Sequence, residues 1–175
     1  MTAPEFSRPE RLDSIGGEPR TVEIEANEEE RRRLAGRFGL IAIQRLAASF
    51  AIRRDMTGIR ADGRVTAEVT QACVATGDPV PARIDETVAL RFVAPGESGE
   101  EIELGEDALD TIEMESGAID LGEAAAETMA LALDPFPRGP HAAQALREAG
   151  VVEEGQEEKG GAFSALAALK DKLGK

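Results

Sequence analysis

Apolar and polar residues alternate along two neighbouring stretches of this chain. In the first, Val65, Ala67 and Val69 alternate with Thr66, Glu68 and Thr70, and the run continues through Gln71 to Cys73. A period of two is the mark of a strand with one buried face. Thr76-Gly77-Asp78-Pro79 then supplies turn chemistry, and a second alternating run returns through Ile84, Val88, Leu90 and Phe92. The pattern predicts a β-hairpin as the core unit. Ile59, Ala61 and Gly63 keep the parity of Val65. The first arm is therefore predicted as one strand from about Ile59 to Val74, with Gly63 at a bulge or a close backbone approach rather than in a turn.

Upstream, Leu46, Ala48, Phe50 and Ile52 alternate with Arg45, Ala47, Ser49 and Arg53. The alanines favour a helix. The strict alternation and the turn signal Asp55-Met56-Thr57-Gly58 predict a strand over Ile41 to Arg54 instead. An edge strand is predicted at Thr21 to Glu25. Asn27 is a suitable N-cap for a helix ending near Gly36 to Gly39, with Glu28, Glu29 and Glu30 in its first turn. Leu34 and Phe38 would form its buried stripe.

Past Phe92, Pro95 to Gly99 reads as a loop, and Ile102 to Leu104 and Thr111 to Met114 as short alternating runs on an acidic background. Ser116-Gly117 turns, and Asp120-Leu121-Gly122-Glu123 resembles a capping box opening a helix through Leu133. Leu121, Ala124, Ala125, Thr128, Leu131 and Ala132 would be its apolar face, and Pro135, Pro137 and Pro140 would close it. A short helix is predicted at Ala142 to Glu148, a linker at Val152 to Gly161, and an amphipathic helix at Phe163 to Leu173. Residues 1–20, without a period, are expected to be a flexible arm. The resulting organisation is an arm over 1–20, an α+β core domain over 21–140, a short helix and acidic linker over 141–161, and a C-terminal amphipathic helix over 162–175.

Composition narrows the function classes. The 175 residues carry a formal charge of −14, which argues against a free-standing DNA-binding domain. The charge is uneven. Arg31 to Arg64 holds nine arginines against Asp55 and Asp62, whereas no Lys or Arg lies between Arg91 and Arg138. Such a chain can meet a cationic protein with one face and phosphate with another. The plainer reading is two solvated surfaces that partly neutralise each other. With neither Trp nor Tyr, platforms for stacking single-stranded bases are scarce. Met1 to Arg20 lacks the pattern of a secretion signal, and no run has the length of a membrane-spanning helix. A soluble, intracellular protein without a membrane role is expected.

Candidate chemistry is sparse. Cys73 is the only cysteine and His141 the only histidine, so a disulfide framework and a Cys-rich zinc site are excluded. A Cys–His pair would need both groups adjacent and the thiol pKa lowered. The parity of Cys73 points instead to a small buried hydrophobe. The acidic region from Glu97 to Glu127 lacks a calcium-loop pattern, and no phosphate-binding glycine motif occurs. No catalytic residue, metal or cofactor is predicted. Arg31, Arg32 and Arg33 could grip phosphates, although glutamates on their own helix can pair with them.

The ordered set of segments resembles the YceD family, the large ribosomal RNA subunit accumulation proteins. The matching parts are Gly63-x-Val65-x-Ala67-x-Val69-x-Gln71-x-Cys73-Val74-x-Thr76-x-Asp78-Pro79-Val80 with Ile84 and Phe92. Ile119-Asp120-Leu121, Leu131 to Pro135 and the terminal Phe163 to Lys170 follow in order. Many members carry a second cysteine three residues after the first. Here that place is Thr76, so no paired-thiol or metal role is implied. The resemblance implies a cytoplasmic, non-enzymatic factor supporting accumulation of large-subunit (23S) ribosomal RNA. Its partner would be a ribosomal protein or a pre-ribosomal particle, with direct RNA contact left open.

The expected fold is α+β: a curved, barrel-like antiparallel sheet flanked by two main helices. The candidate partner-binding residues are Arg31, Arg32, Arg33, Arg37, Arg53, Arg54, Gln71, Cys73 and Thr76. Two other readings stay open: a small cysteine-dependent enzyme using Cys73, and an acidic adaptor unrelated to ribosomes.

Overall fold

The computed structural model describes residues 4–94, 110–114 and 117–151. Its centre is a run of three long strands: β3 (Ala42–Asp55), β4 (Gly58–Ala72) and β5 (Pro79–Val93). β4 pairs antiparallel with β3 on one side and β5 on the other along nearly its whole length. β2 (Arg20–Glu25) adds antiparallel to β3, and β6 (Asp110–Glu113) adds to β5. The order is β2-β3-β4-β5-β6. Among the described residues the sheet is open, with β2 and β6 at its edges. It is not wholly antiparallel, because β6 runs parallel to β5. A tight turn would have reversed the chain, whereas residues 94–109 give a connection long enough to return in the same direction.

Parity sorts the two faces. Leu46, Ala48, Phe50 and Ile52 of β3, Ile59, Ala61, Val65, Ala67 and Val69 of β4, and Ile84, Leu90 and Phe92 of β5 are buried in one core. Helices α1 (Glu28–Phe38) and α2 (Leu121–Leu131) cover that face, α1 against β3 and α2 across β3, β4 and β5. The predicted close approach lies at Gly63, opposite Phe50 with no break in register. A Cβ there would stand 2.4 Å from the Phe50 ring and 2.7 Å from the Ser49 carbonyl oxygen. Gly63 is therefore a packing requirement. The only register shift between β3 and β4 comes at Ile43/Arg45.

Local chemistry sets the ends of the elements. Asn27 accepts from the Glu30 N–H while the Glu30 carboxylate accepts from the Asn27 N–H, and Gly39 closes α1 in the left-handed conformation. Gly77, at φ +76, and the Asp78 carbonyl accepting from the Cys73 N–H shape the β4–β5 turn. Asp120 caps α2 by accepting from the Gly122 and Glu123 N–H groups. The Glu123 carboxylate does not complete the expected capping box but receives Arg37. The predicted short helix is α3 (Ala142–Glu148).

Two expectations are corrected. Residues 4–20 are not a loose arm. β1 (Pro9–Arg11) pairs antiparallel with β7 (Ala118–Asp120), Leu12–Ser14 form a 3-10 turn, and Phe6 is fully buried. The Ser7 hydroxyl and the Arg8 N–H donate to Asp120, and Arg8 is bidentate to Glu30 at 2.7 and 2.9 Å. These bonds join residues distant in sequence, so no local period announces them. On α2, Leu131 is not part of the buried face: it is 86% exposed, while Gly122, Ala126 and Met129 are buried beside Leu121, Ala124 and Ala125. Leu131 lies two residues, about 200°, round the helix from Met129. The loop at Pro95–Gly99, the run Ile102–Leu104, Ser116, the linker 152–161 and the helix expected at Phe163–Leu173 lie outside the described residues.

The close approach at Gly63 is testable. Gly63→Ala is expected to destabilise the fold by about 1–3 kcal/mol, the range for forcing atoms into a filled core. The cost should appear as a lower urea midpoint with an unchanged m-value.

Candidate functional site

The residues singled out in the sequence fall into three places, not one. On α1, Arg32 pairs with Glu29, Arg33 donates to the same carboxylate at 3.0 Å, and Arg31 donates to the Ala26 carbonyl. Arg37 bridges Glu5 at 3.1 Å and Glu123 at 2.6 Å, and these carboxylates push its pKa further up. Arg54 belongs with this group by role. Its guanidinium donates to the Ile15 and Leu12 carbonyls and its N–H to the Gly16 carbonyl, tying the N-terminal segment to β3. These arginines are engaged with their own fold.

At the far end of β4, Gln71, Cys73 and Thr76 meet the loop after α2. Gln71 is the only buried polar side chain among the described residues, and its Nε2 donates to the Asp134 carbonyl at 2.8 Å. The Val74 N–H donates to the Pro137 carbonyl, and the Gly139 N–H to the Cys73 sulfur at 3.3 Å. The proline-rich loop is thereby fixed to the hairpin end, with Val74 and Phe136 exposed beside it. Cys73 itself is 3% exposed. The Gly139 N–H, and then the Thr76 hydroxyl, lower its thiol pKa to about 7. Thr76 thus stands against the sulfur at the position where a second cysteine would be.

A lowered thiol pKa meets one requirement of a nucleophile. The geometry withholds the others. His141 is exposed at the start of α3, and it is not among the groups that act on the thiol. The cavity of about 590 Å³ between β6, β7 and α2 is lined by Phe92, Ile112, Met114 and Ile119 with Glu113 and Glu127, and it includes neither Cys73 nor His141. Burial and the neighbouring Glu123 push the Glu127 carboxyl up.

Arg53 occupies the third place, on the sheet face opposite both helices. Strand parity sends Arg45, Ala47, Ser49, Ala51 and Arg53 of β3 outward. With them point Arg60, Asp62, Arg64, Thr66 and Glu68 of β4, and Arg83, Asp85, Thr87, Ala89 and Arg91 of β5. Arginines outnumber carboxylates two to one on this face. Arg64 pairs with Asp85, Arg83 with Glu68, and Arg45 with Glu25 of β2. Arg53, Arg60 and Arg91 lie in one row across three neighbouring strands, Arg53 opposite Arg60 and Arg60 opposite Arg91.

That row is held from the adjoining turn. Arg91 donates to the Thr57 hydroxyl, which donates to Asp55 at 2.6 Å. The Thr57 hydroxyl and N–H, then Arg91 and Arg53, hold the Asp55 carboxyl below its usual range. Arg60 donates to Asp62 through Nε at 2.8 and 3.0 Å. Sequence reading missed Arg60 and Arg91. Arg60 was within reach, since Arg53 and Arg60 each stand two residues outside the closing pair Asp55 and Gly58. Arg91 needed the register of β5.

Among the described residues no helix is long and apolar enough to cross a membrane, and no group of His, Cys, Asp and Glu is gathered to hold a metal. A family model described as "Large ribosomal RNA subunit accumulation protein YceD" matches residues 61–170, well over half of the chain. The match takes in Gln71, Cys73, Thr76 and Arg91 and begins one residue after Arg60. No curated protein and no solved structure matches the chain.

The thiol offers a test with a defined sign. A pKa lowered in the folded state contributes stability that is fully present above the unfolded value and is lost as pH falls through the folded one. The stability of the native chain relative to Cys73→Ala should therefore grow between pH 7 and pH 9. A difference in urea midpoint that is flat over that range would show that the sulfur does not carry the charge.

Proposed function

The chain belongs to the YceD family, the large ribosomal RNA subunit accumulation proteins, and from that premise we propose that it acts by binding without catalysis. The family's description implies a role in accumulation of the large-subunit ribosomal RNA. The proposed partner is an assembling large-subunit particle in the cytoplasm, met as a ribosomal protein or as an RNA–protein complex. The observation that carries this reading is the outward face of β3, β4 and β5, which neither helix covers and which gathers arginines on a chain of net charge −14. A non-covalent partner of opposite charge is what such a face suits. The alternative of a cysteine enzyme lacks support from geometry, because the thiol is buried and the imidazole is not beside it.

Depletion of the protein is expected to lower the ratio of large- to small-subunit ribosomal RNA, measured on total RNA. In sucrose gradients the tagged protein should sediment with large-subunit precursors at low salt and leave them as salt is raised. An unaltered ratio would favour an acidic adaptor unrelated to ribosomes. In the same cells Cys73→Ser should preserve the ratio, whereas an enzyme that depends on the thiol would lose it.

A further inference from the structure

The cavity of about 590 Å³ beside α2 has two kinds of lining. Phe92, Ile112, Met114 and Ile119 make it apolar on one side, with Ile112 and Met114 only half-buried. The charged groups around it are all acidic: Glu113, Asp120, Glu123 and Glu127, with no Lys or Arg among the lining residues. Asp120 receives Ser7 and Arg8, and Glu123 receives Arg37. Glu127 makes no ion pair among the described residues. It stands one turn from Glu123 on α2, a spacing at which like charges repel. Burial and Glu123 push its carboxyl up. An apolar side chain accompanied by a cation would suit both kinds of lining.

Such a group exists in the same chain. All four lysines, Lys159, Lys170, Lys172 and Lys175, lie in the C-terminal part beyond the described residues. Phe163, Leu166, Leu169 and Leu173 recur there at spacings of three, three and four, the pattern of one helix face. The family match runs on to residue 170 and so takes in most of this stripe together with Phe92 and the acidic residues of the cavity. The connection 152–162 can extend to ~36 Å, enough to cross a domain of this size. We infer that residues 163–173 dock as an amphipathic helix in the cavity between β6, β7 and α2 of their own chain. The apolar stripe lies against Ile112, Met114 and Ile119, and Lys170 and Lys172 lie beside Glu113 and Glu127. This is helix-in-groove recognition within one molecule. The tether holds the segment at an effective concentration of about millimolar order, so a modest contact is enough to seat it. The seat is independent of any ribosomal role.

Carbodiimide coupling of the dilute full-length protein, followed by peptide mapping, tests this, because it joins an amine to a carboxylate only when the two touch. With every lysine in 159–175, each lysine crosslink reports where that segment lies. Lys170 and Lys172 are expected to join Glu113 or Glu127 of the same chain. The double variant Leu166→Glu, Leu169→Glu should lower the yield of those crosslinks at least about tenfold, the effect of losing one or two buried leucines. Its urea midpoint shows that the core remains folded. No lysine crosslink to Glu113 or Glu127, or crosslinks spread without preference over the glutamates of 153–158, overturns the proposal. An undiminished yield in the double variant also overturns it, since charge attraction alone would then bring the lysines there. Crosslinks found only between chains, detected by mixing isotopically labelled and unlabelled protein, assign the cavity to a second copy and overturn the intramolecular seat.

Discussion

A fifteen-residue strand paired on both sides has no freedom over which way its residues face. Once β4 is registered against β3 and β5, every second position is committed to the core and every other one to the opposite side. A slip of one residue would move Val65, Ala67 and Val69 into solvent and bring Arg64, Thr66 and Glu68 inside. The cost of burying those groups keeps the register fixed. The rest of the structure hangs on this. The helices cover the apolar side and the N-terminal segment closes over α2, while neither α1 nor α2 covers the polar side.

That constraint also accounts for the distribution of charge. The arginines of α1 and Arg54 are spent within the molecule, on Glu29, Glu123, Glu5 and backbone carbonyls. Those of the outward face include Arg60, Arg64 and Arg83, paired with Asp62, Asp85 and Glu68 of the same face. An abundance of arginine in sequence thus resolves into two populations with different physical roles. The hairpin end is a third, separate feature, a polar joint in which Gln71, Val74 and Cys73 hold the 134–139 loop. Family membership gives the biological setting, and the outward face of β3, β4 and β5 is the place proposed for a partner.

Much of this was legible in the chain. The period of two in β3, β4 and β5 defined the hairpin, its turn and the importance of Gly63, because side-chain alternation is a local property of strands. Asn27 and the glutamates after it marked α1 for the same reason. Phe6, Ser7 and Arg8 gave no local signal, since their partners are Gly122, Asp120 and Glu30. The direction of β6 was hidden because a long connection carries no turn signature. On α2, Leu131 misled because hydrophobic character alone does not say which side of a short alanine-rich helix is buried. The Asp134 and Gly139 contacts to Gln71 and Cys73, and the alignment of Arg91 with Arg60, arise only when distant segments are brought into register.

The most direct measurement is protection of the outward face inside an assembling particle. Cysteines introduced singly by Ser49→Cys, Thr66→Cys and Thr87→Cys, in a Cys73→Ala background, report that face, and Phe136→Cys reports the hairpin end. Maleimide labelling with and without large-subunit precursors should slow at the first three positions and stay unchanged at the fourth. Unchanged rates at Ser49, Thr66 and Thr87 in a particle that carries the protein would contradict the account.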